Sequence, residues 1–145
     1  MADTTITSAN SVVTLSVAGL FPAPVQLQGY STERAWQSDN QELAEVQMGV
    51  DGRMTAGFVP NPVRQTFALQ ADSPSKAIFK AIADAMKAAK DVYYITGSIS
   101  LPSTQEAFSC VRGVLQNHKA IADAGKVLQA MDFTIVWQDI QSTIA

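Results

Sequence analysis

Val63-Arg64-Gln65-Thr66-Phe67-Ala68-Leu69-Gln70-Ala71-Asp72-Ser73-Pro74-Ser75-Lys76-Ala77-Ile78-Phe79-Lys80-Ala81-Ile82 is where the chain changes its period. Val63, Gln65, Phe67 and Leu69 alternate with their neighbours, the period of two of a half-buried strand. At Asp72-Ser73-Pro74 the pattern breaks: Asp72 or Ser73 can cap a helix, and proline suits a first turn. Beyond it Ile78, Ile82 and Met86 recur every fourth residue with Phe79 beside them, so a helix is expected over residues 74–90. Lys76, Lys80, Asp84 and Lys87 occupy its other faces. Burying those four apolar side chains at about 1.5–3 kcal/mol each makes the helix part of the core.

Outward from this step the rest of the chain reads as strands. On the N-terminal side Val13, Leu15 and Val17 alternate, residues 19–24 turn, and Val25, Leu27 and Gly29 begin a long, bulged strand that continues through Tyr30 to Trp36. Residues 37–62 hold three turn signals, Ser38-Asp39-Asn40, Val50-Asp51-Gly52-Arg53 and Pro60-Asn61-Pro62, of which Asp51-Gly52 is the best hairpin turn. On the C-terminal side residues 91–101 pair as a hairpin with 108–115 across Pro102-Ser103-Thr104. Residues 120–130 connect with a helical turn, and Met131, Phe133, Ile135 and Trp137 form the last strand. With no regular alternation of strand and helix, a parallel sheet is excluded. The expected fold is mainly β with one flanking α-helix, an antiparallel barrel or sandwich. It forms a single domain over residues 1–145, with an N-terminal arm (1–11), a long hairpin loop (37–62) and a polar C-terminal tail (138–145).

Composition narrows the function. A chain of 145 residues, 47% hydrophobic and 16% charged, builds one core. Its net charge of -3 argues against a basic face that grips phosphates. Cys110 is the single cysteine, so no intrachain disulfide forms. Neither a secretion signal nor an apolar run of membrane length is present, and synthesis in a reducing cytoplasm follows. His118 is the only histidine, and it lies roughly 26 Å along a strand from Cys110, which leaves the thiol no base. Glycine-rich phosphate loops are missing. Glu33, Asp39, Glu42, Glu45 and Asp51 read as a solvated face before they read as a carboxylate pair, and the helix lysines are spaced to pair locally with Asp72, Asp84 and Asp91. Trp137 completes a core face, whereas Trp36, beside the polar loop, is open to an interface. Catalytic residues, metal ligands and cofactors are therefore none, and an enzyme is not expected.

Val46-Gln47-Met48-Gly49-Val50-Asp51-Gly52-Arg53-Met54-Thr55 resembles a hairpin of phage tail tube proteins, in which an Asp-Gly turn precedes a Thr-rich strand. The strand from Val63, the Ser73-Pro74-Ser75 step and the amphipathic helix follow in the order of that family. The likeness spans residues 12–140. It implies a β-barrel subunit of hexameric rings that stack into a hollow tube conducting DNA from capsid to host. Such a protein is made in the host cytoplasm and resides in the virion, with no membrane anchor. Its partners are further copies of itself, a sheath protein if the tail is contractile, a tape-measure protein, and transient, non-specific DNA in the lumen. Lumen-facing candidates are Glu33, Asp39 and Glu42. Contacts between subunits or rings fall to Trp36, Val50, Asp51, Gly52, Arg53, Phe58 and Asn61. Two alternatives stand beside it: the inner tube of a secretion or contractile injection system, and a small-molecule-binding β-barrel that stays monomeric.

Overall fold

The computed structural model describes residues 11–27, 36–102 and 104–144. In chain order they form β1 (Val12–Val17), β2 (Phe21–Gln26), β3 (Trp36–Ser38), β4 (Ala44–Met48), β5 (Met54–Phe58), β6 (Val63–Leu69), α1 (Lys76–Ala89), β7 (Ile95–Leu101), β8 (Glu106–His118) and β9 (Met131–Ile144). Seven strands make one antiparallel sheet in the order β2-β1-β7-β8-β9-β6-β3, while β4 and β5 form a separate two-stranded ribbon. Among the described residues the end strands β2 and β3 do not pair with each other, so the sheet is open and sandwich-like, not closed into a barrel.

Alternation sorts each strand into a wet and a dry side. Val13, Leu15 and Val17 from β1 join Ile95 and Ile99 from β7, Cys110 and Leu115 from β8, Phe133, Ile135 and Trp137 from β9, and Phe67 and Leu69 from β6. Against them α1 lays Ile78, Phe79, Ile82 and Ala83. Phe79 stacks on Phe133 with ring centroids 4.6 Å apart and an interplanar angle of 7°. That contact docks the helix on the sheet, an aromatic pair worth about 0.5–1.5 kcal/mol beyond its buried area.

The side chain of Trp137 is wholly buried and spans two strands. A Cβ built on Gly113 of β8 would stand 2.3 Å from its Cε3, and one on Gly97 of β7 2.9 Å from its Cη2. Both glycines are thus the floor on which the indole lies. Its Nε1–H donates to Gln65 Oε1 at 2.9 Å, which satisfies a buried amide on β6. This ring ties four of the seven strands together.

Several elements depart from expectation, each for a physical reason. The helix begins at Lys76, later than expected, because the Ser73 hydroxyl accepts from the Ser75 N–H at 3.2 Å and holds one turn outside it. Residues 19–24 are not all turn: β2 starts at Phe21 and takes in Pro22 and Pro24, which an edge strand tolerates. Residues 91–94 precede β7 instead of belonging to it. The segment expected as a polar tail from 138 is strand as far as Ile144, because the first half of β8 needs a partner, with Cys110 opposite Ile140 and Glu106 opposite Ile144. Residues 120–130 contain no helical turn. Instead an Ala124–Leu128 bridge and a Gln129 N–H to Asp123 carbonyl bond of 2.8 Å fold them into a tight loop. The expected lysine pairing on α1 is also missing: among the described residues the ion pair within 4 Å is Lys119–Asp123, at 2.9 Å. The arm (1–10) and residues 28–35 of the expected bulged strand lie outside the described residues.

Candidate functional site

Two features stand apart from the core. The first is the ribbon. Pairing sets Ala44 opposite Phe58, Val46 opposite Ala56, and Met48 opposite Met54, with Glu45 opposite Gly57 and Gln47 opposite Thr55 between them. Opposed residues share a face. One face is therefore Ala44, Val46, Met48, Met54, Ala56 and Phe58, and the other is polar. Such a pattern belongs to a strand pair packed on one side. Yet Val46 is 59%, Met48 67%, Met54 59% and Phe58 77% exposed.

Local bonds make this ribbon a formed element. At its tip Gly52 adopts φ 87°, which favours glycine. There the Asp51 carboxylate accepts from the Arg53 N–H at 3.1 Å, and the Gly49 N–H donates to the Arg53 carbonyl at 2.8 Å. At its root Asn61 Nδ2 donates to the Glu42 carbonyl at 2.9 Å and Gln41 Nε2 donates to the Asn61 carbonyl at 2.8 Å, closing the two legs together.

The second feature is a groove of about 590 Å³ between α1 and the β8–β9 connection. Lys76, Lys80, Lys87 and Lys119 line it with a single carboxylate, Asp84, above a floor that includes Ile121, Leu128 and Phe133. Lys76 Nζ donates to the Ala71 carbonyl. His118 sits against Phe133, with ring centroids 5.5 Å apart. Burial, reinforced by the Lys87 cation and opposed by Asp84, holds its pKa below the usual imidazole value.

Cys110 lines neither feature. Burial pushes the Cys110 thiol up to about 11, so it stays protonated inside the sheet. Among the described residues no group of three or more His, Cys, Asp or Glu could hold a metal ion. No helix among them is long and apolar enough to cross a membrane.

The residues singled out from sequence fall as follows. Val50, Asp51, Gly52, Arg53 and Phe58 all lie on the ribbon, at its tip or on its apolar face, and Asn61 clamps its root. Trp36 is half-buried at the sheet edge, where it pairs with Phe67 and packs on the core. Asp39 and Glu42 are exposed, and Glu33 lies outside the described residues. Sequence reasoning missed Val46, Met48 and Met54. Their signal was available as two short runs of period-two alternation flanking the Asp51-Gly52 turn.

Among the described residues nothing covers the apolar face of this amphipathic ribbon, and comparison with known proteins supplies a context for it. The family described as Tail fiber protein gp32 matches residues 4–141. The chain belongs to that family. Membership of the gp32 family makes it a phage-tail-related structural protein. No curated protein matches it. Among solved structures, a chain of the anti-feeding prophage tube-terminating cap shares this chain's fold with a TM-score of 0.60 at 10% identity, covering 100% of this chain and 95% of that one. A chain of the six-fold symmetrised anti-feeding prophage baseplate aligns with a TM-score of 0.58 at 10% identity, over 98% and 97% of the two chains. One from the sheath–tube complex of an extracellular contractile injection system, PVC, in its extended state aligns at 0.53 and 9% identity, over 97% and 93%. At such identities the likeness is one of fold.

Proposed function

We propose that this chain is the repeating subunit of a phage tail tube, in which hexameric rings stack head to tail into a hollow conduit for DNA. The ribbon carries the reading: a preformed hairpin with six apolar or small residues on one face is a liability on a lone subunit and an asset in a polymer that covers it. Fold relatives taken from a six-fold baseplate, a tube cap and a sheath–tube complex support the same architecture. In such a tube a sheath protein would contact the outer wall, while a tape-measure protein and then DNA would occupy the lumen. A net charge of -3 per copy, with Asp39, Glu42 and Glu33 as lumen candidates, keeps the wall from trapping phosphates. Those same relatives favour a second reading, the inner tube of a contractile injection system, which differs in cargo and not in subunit design.

Negative-stain electron microscopy of the purified protein at rising concentration tests the proposal. Rings or hollow tubes are expected for the natural chain, and their loss for Val46→Ser/Phe58→Ser. Solid rods without a lumen would point to a fibre subunit, and monomers at every concentration would leave the ribbon without its purpose; either defeats the reading.

A further inference from the structure

We infer that Arg112, stacked on Tyr94 at the bulge of β8, is a preset fork for a carboxylate of a second copy of this chain. The inference rests on the tube reading and names one contact that would hold copies together. Opposite Thr96 of β7, strand β8 places two residues, Val111 and Arg112, because Ile95 pairs with Gly113 and Gly97 with Cys110. A bulge of this kind re-aims a side chain. Arg112 takes φ 48°, a left-handed conformation that strains a residue with a Cβ, although a glycine stands next to it. Strain held at one exposed side chain marks a place where its direction matters.

The direction is outward, with Cζ 4.2 Å from the centroid of the Tyr94 ring. Stacking fixes the plane of the guanidinium and leaves its N–H edge free to donate. Among the described residues no carboxylate lies within 4 Å of it. The acid in register beside it, Asp139 opposite Val111, turns back to accept the Ile140 N–H at 2.9 Å. Surroundings select the partner. Tyr94 is 46% and Val92 42% exposed, and half-buried Val111 and Val114 adjoin the bulge. An arginine with an aromatic ring and aliphatic neighbours is the composition of an anchor between proteins. A phosphate backbone asks for several cations, whereas the neighbouring charges in sequence and register are Asp91 and Asp139. A carboxylate meets a guanidinium through two parallel hydrogen bonds. Copies of this chain bring such groups in excess, thirteen Asp and Glu against ten Lys and Arg.

The test uses the full chain, read by pelleting of polymer at physiological salt, with urea midpoints taken in the Val46→Ser/Phe58→Ser background. Arg112→Gly removes the fork and places at φ 48° a residue suited to it. It is expected to cut pelleted protein by about tenfold or more while the urea midpoint stays level or rises. Arg112→Lys keeps the charge, loses the two-pronged geometry and is expected to pellet about fivefold less. Tyr94→Phe keeps the ring face and is expected to pellet within about twofold of the natural chain. Either Arg112 variant pelleting like the natural chain overturns the inference and leaves the tube reading intact. A urea midpoint that falls in Arg112→Gly makes the stack a structural clip and overturns it too. So does duplex DNA held by the natural chain and released by Arg112→Gly with pelleting unchanged, which would assign the fork to phosphate. A natural chain that forms no polymer removes both readings.

Discussion

Replacing Gly113 by alanine is expected to be among the most damaging single-methyl additions available in this protein. The added Cβ would stand 2.3 and 2.5 Å from Cε3 and Cζ3 of Trp137 and 2.9 Å from Cγ2 of Ile135. Carbon atoms rest at about 3.5–4.0 Å, so the indole must retreat by more than about 1 Å. It is not free to do so, because its Nε1–H bond to Gln65, 2.9 Å long, is buried and a shift of that size breaks it. Overpacking costs about 1–3 kcal/mol and an unsatisfied buried amide about 1–3 kcal/mol, giving about 2–6 kcal/mol in all. Out of a total stability on the order of 5–15 kcal/mol this is a large share. Urea unfolding followed by tryptophan fluorescence, in the Val46→Ser/Phe58→Ser background to hold the chain monomeric, measures it. Gly57→Ala serves as the control, since its Cβ would meet nothing within 4 Å. A Gly113→Ala loss below about 0.5 kcal/mol, within the range of an ordinary surface change, would refute the reasoning. So would a Trp137→Leu background in which the loss is undiminished, because the two residues should couple.

Three further outcomes follow from other sites. Gln65→Met keeps the length of the side chain and removes the acceptor for Trp137, and should cost about 1–3 kcal/mol in urea unfolding. Cys110, buried with its thiol pushed up to about 11, should resist maleimide at pH 8 in the native protein and react fully in denaturant; rapid native labelling would contradict its place in the sheet. His118 has a folded pKa below its unfolded value, so the unfolded chain takes up the proton first as pH falls. Stability should therefore decline as pH drops through the ordinary histidine range of about 6.5 and level off once the folded ring is protonated, and His118→Gln should remove that part of the slope in urea midpoints compared between pH 7.5 and 5.

How far the sequence carried the fold depends on how local each signal was. The strand at Val63 and the helix after Pro74 were legible because each buries one face of a regular period, and the helix residues Ile78, Phe79 and Ile82 are those that meet the sheet. The end of β9 was not legible: Gln138, Asp139, Gln141 and Ser142 are polar, and what makes them strand is the partner β8, a long-range fact. The bulge that lets Arg112, at φ 48°, lie 4.2 Å over the Tyr94 ring was equally hidden, since the left-handed conformation falls on the arginine and not on the neighbouring Gly113 that would have marked it. For the candidate site, the Asp51-Gly52 turn fixed the tip of the ribbon, yet the apolar face on either side of it was read as polar loop. Glu45, Gln47 and Thr55 alternate with the apolar residues and mask them when the segment is judged by composition instead of by period. The groove lay beyond reach, because it joins α1 to a loop more than thirty residues later in the chain.

The Pro22 and Pro24 pair on β2 has a bearing on manufacture. Two residues apart, they put their missing N–H groups on one side of the outermost strand, and β1 already occupies the other. A newly made chain meeting that border finds too few donors to extend the ladder. Edge-to-edge zippering of one sheet onto another is thereby discouraged at this border, which leaves side chains, and not the β2 ladder, as the means of any contact made there.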